Sequence, residues 1–139
     1  VPECVSPRLI LVDTSAYFAL LDRTDQHHRD AIQFLKANDT PLVTTDLIVV
    51  ETLNLVRVRL GHRQAIRLGN RLLDPTLTKV LKVGDIDVVQ AWQIFRRYRD
   101  KEFSFTDCTS FALMRRLQIP AAFAFDIHFH QYGLIRLLP

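Results

Sequence analysis

The sequence predicts a three-layer α/β/α fold around a central, mainly parallel sheet of four to five strands. Short apolar runs recur along the chain with one or two amphipathic helical segments between them, the rhythm of strands joined by helical crossovers. Those runs are unbroken rather than alternating, which is the pattern of strands covered on both faces.

Leu9-Ile10-Leu11-Val12 is the first run, and Asp13 ends it. Ser15 is placed to cap a first helix through Leu21, and His27 to Ala37 carries Ala31, Ile32, Phe34 and Leu35 in a second amphipathic segment. Pro41 to Thr44 reads as the second strand. Thr45 or Asp46 then caps a long helix to about Leu60, where Gly61 suits the end. Arg63 to Leu73 forms another helix, stopped by Asp74-Pro75. Lys79 to Val83 is a third strand, followed by a helix from about Asp87 to Arg99 that Asp85 caps, with Val88, Ala91, Trp92 and Phe95 on its inner face. Ser104 and Asp107 have capping-box spacing ahead of helical Cys108 to Leu117, which Pro120 closes. Ala121 to Phe125 is a fourth strand that Asp126 ends, and Leu134 to Leu138 adds a last edge strand.

At 139 residues the chain is expected to form one domain over 1–139, with 1–8 as an N-terminal tail. A hydrophobic share of 48% against 24% charged residues excludes a largely disordered or fibrous chain. No apolar run approaches the roughly 18 to 20 residues that span a bilayer, and no signal-like segment opens the sequence, so a cytoplasmic protein without membrane contact is expected. Cys4 and Cys108 form neither a disulfide framework nor a zinc pattern and are read as free thiols. The net charge of +3 comes mostly from arginine, which suits a phosphate-rich partner without requiring one.

Four acids stand out. In open parallel sheets ligands sit beyond the carboxyl ends of the strands, and Asp13 and Asp126 each follow an apolar strand; a turn or capping role is the plain alternative for both. Glu51 lies in Leu47 to Val56, which holds no other charge. A carboxylate in such a segment needs a hydrogen bond, a cation or a salt bridge, for which an arginine from a later helix is one source. Asp107 can be simply the acid of the capping box, although Phe103 and Phe105 bury its approach and Phe111 and Met114 anchor its helix. If the four meet, their repulsion raises several pKa values unless a divalent cation neutralises them, and an all-carboxylate set suits Mg²⁺ or Mn²⁺ rather than zinc. Phosphodiester hydrolysis is the usual chemistry of such a site.

These segments resemble the PIN-domain ribonucleases, and among them most closely the compact VapC-type toxins of bacterial toxin–antitoxin pairs. The matching elements are Leu-Val-Asp13-Thr-Ser-Ala-Tyr, Val-Val-Glu51-Thr-Leu-Asn, Phe-Ser-Phe-Thr-Asp107-Cys-Thr-Ser-Phe-Ala-Leu-Met and Phe-Asp126-Ile-His-Phe, in that order from Leu9 to about Leu138. The resemblance implies a PIN-like fold in which Asp13, Glu51 and Asp107 hold Mg²⁺ or Mn²⁺ and Asp126 completes the set. It further implies endonucleolytic cleavage of RNA, a homodimer, and a small antitoxin that suppresses activity.

Other residues admit plainer readings. Thr14, Ser15 and Thr106 suit either capping or the orienting of a carboxylate or water, and capping suffices for Asp85 and Asp87. His128 and His130 follow Asp126, where turn packing or hydrogen bonding outranks metal ligation; His27 and His28 read as surface residues. Arg59, Arg63, Arg67 and Arg71 form one basic stripe and Arg96, Arg97, Arg99 and Lys101 a second cluster, each either RNA-facing or solvated.

Two other readings compete. One is a PIN-like module without turnover, serving as a scaffold or RNA-binding subunit; the presence of all four acids argues against it. The other is aspartyl-phosphate chemistry. A phosphatase of that kind wants a second Asp two residues after Asp13, where Ser15 stands, and a receiver wants a late strand-end Lys, yet no lysine follows Lys101.

Overall fold

A computed structural model of the chain describes residues 8–133 and 135–139; Cys4, most of the expected tail and Leu134 lie outside the described residues. In chain order the elements are β1 (Ile10–Val12), α1 (Thr14–Leu21), α2 (His28–Ala37), β2 (Leu42–Thr45), α3 (Asp46–Leu60), α4 (His62–Leu72), β3 (Lys79–Leu81), α5 (Asp85–Arg97), α6 (Phe105–Leu117), β4 (Ala121–Phe123), α7 (His128–Tyr132) and β5 (Arg136–Leu138). The five strands form one sheet in the order β3-β2-β1-β4-β5, and every neighbouring pair is parallel. Ile10 of the central β1 registers with Leu42 on one side and Ala121 on the other.

The pleat sends successive side chains to opposite faces, and here both faces are covered. Leu11, Val43 and Ala122 point into a cluster with Ala91 of α5, Phe111 and Met114 of α6, and Phe129 of α7. Ile10, Val12, Ala121 and Phe123 point the other way, onto Ala16 and Ala19 of α1 and Ala31 of α2, whose small side chains let those helices approach the sheet closely. The unbroken apolar runs are thus explained residue by residue, and the three-layer α/β/α arrangement stands. A third cluster, with Val49, Val56, Leu68 and Leu72, packs the α3–α4 hairpin against Phe18 and Leu21 of α1. Gly61 joins that hairpin at φ +95, a backbone conformation costly for any residue with a Cβ.

Several local expectations need correction. The first helix is capped by Asp13, not Ser15, because Asp13 holds the extended backbone of a cap and its carboxylate accepts from the Ser15 N–H. Helix α5 starts at Asp85 with Gly84 as its cap and ends at Arg97, while β3 stops at Leu81 and β4 at Phe123. Its inner face also differs from the expected one. Ala91 is fully buried, but Val88, Trp92 and Phe95 are 40%, 51% and 43% exposed. The helix turns Asp87 and Ala91 inward, leaving the larger apolar side chains outside; Asp87 is held by Arg116 of α6 through two bonds of 2.7 and 2.8 Å. No helix among the described residues is long and apolar enough to cross a membrane.

Candidate functional site

Chain connection reverses direction at the centre of this sheet. From β1 the chain moves to β2 and β3 on one side, then returns to β4 and β5 on the other, opening a crevice beyond the carboxyl ends of β1 and β4. Asp13 stands in it, 4% exposed, with its backbone N–H donating to the Phe123 carbonyl at 3.1 Å. The Ser15 hydroxyl donates to Asp13 Oδ2 at 2.9 Å and accepts from the Phe125 N–H at 3.0 Å. Ser15 therefore ties the end of β1 to the segment beyond β4. Asp126 lies three residues past the last residue of β4 rather than directly after it, in the turn that leads to α7.

Helix α3 brings Glu51 to the same crevice. The Thr14 and Thr52 hydroxyls share a 2.9 Å hydrogen bond that pins the start of α1 to α3 one residue beyond Glu51. The surrounding segment is less buried than its composition implies: Glu51 is half-buried and Val50 is 57% exposed. Among the described residues no arginine or lysine forms an ion pair with Glu51. The Thr14 and Thr106 hydroxyls instead lie beside its carboxylate and favour its charged form.

Asp107 opens α6, and the expected capping box is present. Ser104 Oγ accepts from the Asp107 N–H and the Ser104 N–H donates to Asp107 Oδ2, both at 3.0 Å. The same Oδ2 meets His128 Nδ1 at 2.9 Å. Asp126 Oδ1 accepts from the His128 N–H at 2.9 Å and lies 3.2 Å from His128 Nδ1. Asp107, Asp126 and His128 offer ligand atoms within 4.8 Å of one another. Phe103 is buried as expected, but Phe105 is 38% exposed.

The four carboxylates interact electrostatically. Burial, then the Asp107 charge and to a smaller extent Glu51, push Asp13 up to about 7, against the lowering effect of Ser15. Burial and Asp107 raise Glu51, and burial and Asp126 raise Asp107 against its hydrogen bonds from Ser104 and His128. Three acids shifted toward neutrality by burial and mutual repulsion form a site that a divalent cation relieves. The hydrogen bonding leaves room for one. Asp13, Asp107 and Asp126 each commit a single carboxylate oxygen to the protein, and among the described residues no hydrogen bond occupies the other. Asp13, Glu51, Asp107 and Asp126 are thus coupled through their charges, and of these Asp107 and Asp126, with His128, bring ligand atoms within 4.8 Å of one another.

Sequence reasoning favoured turn packing or hydrogen bonding for His128 but did not identify Asp107 and Asp126 as its partners, and it missed the pairing of Asp87 with Arg116 across 29 positions. Asp85 is exposed and Asp87 is engaged by Arg116 and the Gly84 N–H, so neither joins the acid site. His27 and His28 are not simple surface residues: His27 stacks on Phe125 with ring centroids 4.5 Å apart, and His28 Nδ1 lies 2.7 Å from the Ala19 carbonyl. Arg59 lies over the Phe18 ring and Arg97 over Tyr98, while Arg67 and Arg71 line a groove of about 820 Å³ with Leu20, Leu35 and Leu68. Cys108 is free and buried, and burial lifts its thiol to about 11.

A family profile described as PIN domain matches residues 10–134. The chain is 33% identical over 131 residues to the 23S rRNA-specific endonuclease VapC20 of Mycobacterium tuberculosis, covering 94% of this chain and 99% of that protein. The crystal structure of that VapC20, described as a sarcin–ricin-loop-cleaving toxin, superposes with a TM-score of 0.86 at 35% identity, over 94% of this chain and 99% of the other. Two more distant structures share the fold: FitAcB from Neisseria gonorrhoeae (TM-score 0.70, 16% identity, 94% and 96% covered) and DNA-bound VapBC from Salmonella typhimurium (0.66, 12%, 95% and 97%).

Proposed function

Because the chain belongs to the PIN-domain family, we propose that it is a Mg²⁺- or Mn²⁺-dependent endoribonuclease, the toxin of a VapBC-type toxin–antitoxin pair. The observation that supports this reading best is the charge coupling among Asp13, Glu51, Asp107 and Asp126 beyond the sheet's reversal point, with buried Asp13 pushed up to about 7. Held by Asp13, Glu51 and Asp107 with Asp126 in support, a divalent ion would supply Lewis-acid chemistry for hydrolysis of a phosphodiester.

The protein's own part is to hold and orient. Asp13, fixed by Ser15, presents its second oxygen from the floor of the crevice, and Asp107, fixed by Ser104, presents its own from the start of α6. Glu51 closes the side contributed by α3, beside the Thr14 and Thr106 hydroxyls. Asp126, set back in the turn before α7, is the fourth acid. The ionised acids are incompatible with a nearby phosphodiester until a cation neutralises them, which makes RNA binding and metal binding interdependent.

Structured ribosomal RNA is the first substrate class to examine, since the relative at 33% identity is named for 23S rRNA. The groove between α1, α2 and α4 pairs Leu20, Leu35 and Leu68 with Arg23, Arg67 and Arg71, a surface suited to an acidic amphipathic segment of an antitoxin. The exposed rings of Trp92, Phe95 and Phe105, with centroids 5.8 to 6.3 Å apart, suit a second copy of the chain in a homodimer. A cytoplasmic, single-domain protein fits the whole reading.

Incubation of antitoxin-free protein with ribosomal RNA and a sarcin–ricin-loop oligonucleotide, with Mg²⁺, Mn²⁺ or chelator, tests the assignment. Metal-dependent cuts are expected, and Asp13→Asn should lower the rate at least about 100-fold, beyond the 10- to 100-fold typical of losing a group behind the ligands. Unchanged cleavage by Asp13→Asn would remove this site from the account.

A further inference from the structure

Three of the acids are held by familiar devices, a cap or a neighbouring hydroxyl, but Asp126 lies on a short turn and Asp107 on a separate helix. One side chain joins them. His128 Nδ1 lies 2.9 Å from Asp107 Oδ2 and 3.2 Å from Asp126 Oδ1, and the His128 backbone N–H donates to that same Asp126 oxygen at 2.9 Å. Its ring and that of buried Phe103 pack in a T shape, with centroids 5.6 Å apart and planes at 75°.

We infer that His128 is a positioning residue: its Nδ1–H, shared between Asp107 and Asp126, turns the free oxygens of both carboxylates toward a common divalent cation. This rests on the metal-dependent reading of the acid site. The neutral Nδ1–H tautomer suffices, since a single hydrogen can be shared by two acceptors at these distances. Direct ligation is the competing geometry, because the three groups stand close enough to share an ion. A cation on Nδ1, however, would displace that nitrogen's contacts with both carboxylates. It would also meet Asp107 Oδ2 where the Ser104 N–H already binds. His128 acts on the ion through the two acids, as an outer partner that fixes ligand direction.

The role explains why two acids supplied by different elements can serve one centre. The carboxylates repel each other, with Asp126 raising Asp107, and a donor between them offsets that repulsion without filling the oxygens a metal needs. Asparagine at this position offers an amide N–H near the place of Nδ1, whereas leucine offers only bulk.

Mn²⁺ binding by isothermal titration calorimetry tests the inference on wild type, His128→Asn and His128→Leu, each first checked for cooperative thermal melting. The expected result is affinity about 10- to 100-fold weaker in His128→Leu and largely restored in His128→Asn. The Zn²⁺-to-Mn²⁺ affinity ratio should be the same in wild type and His128→Asn, because loss of a direct imidazole ligand would selectively cost Zn²⁺. Wild-type Mn²⁺ affinity in His128→Leu, or a selective loss of Zn²⁺ in His128→Asn, would overturn the positioning role. Failure of wild type itself to bind Mn²⁺ would overturn the underlying metal-site reading as well. If His128→Leu does not melt cooperatively, the His128→Asn ratio alone decides between positioning and ligation.

Discussion

Asp13 concentrates the conflict between stability and function in one carboxylate. Its folded pKa, near 7, is far above the ordinary 3.8, so the metal-free native state binds a proton that the unfolded chain releases. Stability from that proton is fully present below about pH 4 and is lost as the pH rises through 7. Urea titrations of metal-free protein should show this decline, and Asp13→Asn should flatten it while adding roughly 1 to 4 kcal/mol at pH 8. A metal-free Asp13→Asn protein no more stable than wild type at pH 8 would contradict the burial argument. Bound Mn²⁺ should reverse the trend, because it needs ionised ligands and binds more tightly as the pH rises. Asp13 was legible because a polar residue ended a short apolar run. Glu51 was legible because its neighbours carried no charge, although the half-exposed setting was not. For His128 hydrogen bonding was legible but its partners were not, since the contact between positions 107 and 128 is a product of the fold and not of local spacing.

At the scale of elements, α6 shows a local rule and a functional site sharing the same atoms. The Ser104–Asp107 box was readable from spacing alone, and it both caps the helix and fixes the carboxylate that faces the crevice. Ser104→Ala should cost about 1 kcal/mol in folding stability, measured by chemical denaturation, by removing one of the two bonds of the box. The bond that fixes the Asp107 carboxylate comes from the Ser104 backbone N–H, which alanine keeps, so Mn²⁺ affinity measured on the same protein should be unchanged; a fall in affinity would give the Ser104 hydroxyl a part in positioning the carboxylate. The succession of strands and the longer helices along the chain was equally legible from apolar runs punctuated by Pro41, Pro75 and Pro120, but the order of the strands within the sheet and the short α7 were not. Helix α5 was not. Its apolar residues occupy more than one face, and helical period alone does not say that small Ala91 turns inward while Trp92 and Phe95 remain outside. Asp87 looked like a cap, but its partner Arg116 comes from the neighbouring helix, beyond any local pattern.

The whole molecule places its acids at the one point where the strand order reverses, beneath an arginine-rich exterior with a net charge of +3. A basic exterior of that kind favours a polyanion, and the acids beneath it favour a cation. The apolar cluster of Trp92, Phe95 and Phe105 belongs to this scale too, because nothing within the described chain covers it. If it joins two copies, light scattering at micromolar concentration should give a dimer for wild type and a monomer for Trp92→Glu; a dimer in both would place the interface elsewhere. Strand order and the covering of both sheet faces explain why separate segments around positions 13, 51, 107 and 126 meet at all. The most direct test of that convergence is anomalous diffraction at the manganese edge from crystals grown with Mn²⁺. A peak is expected about 2.1 Å from oxygens of Asp13 and Asp107, with Glu51 and Asp126 around it; Mn²⁺ density centred away from the four acids, or none at saturating Mn²⁺, would contradict that convergence.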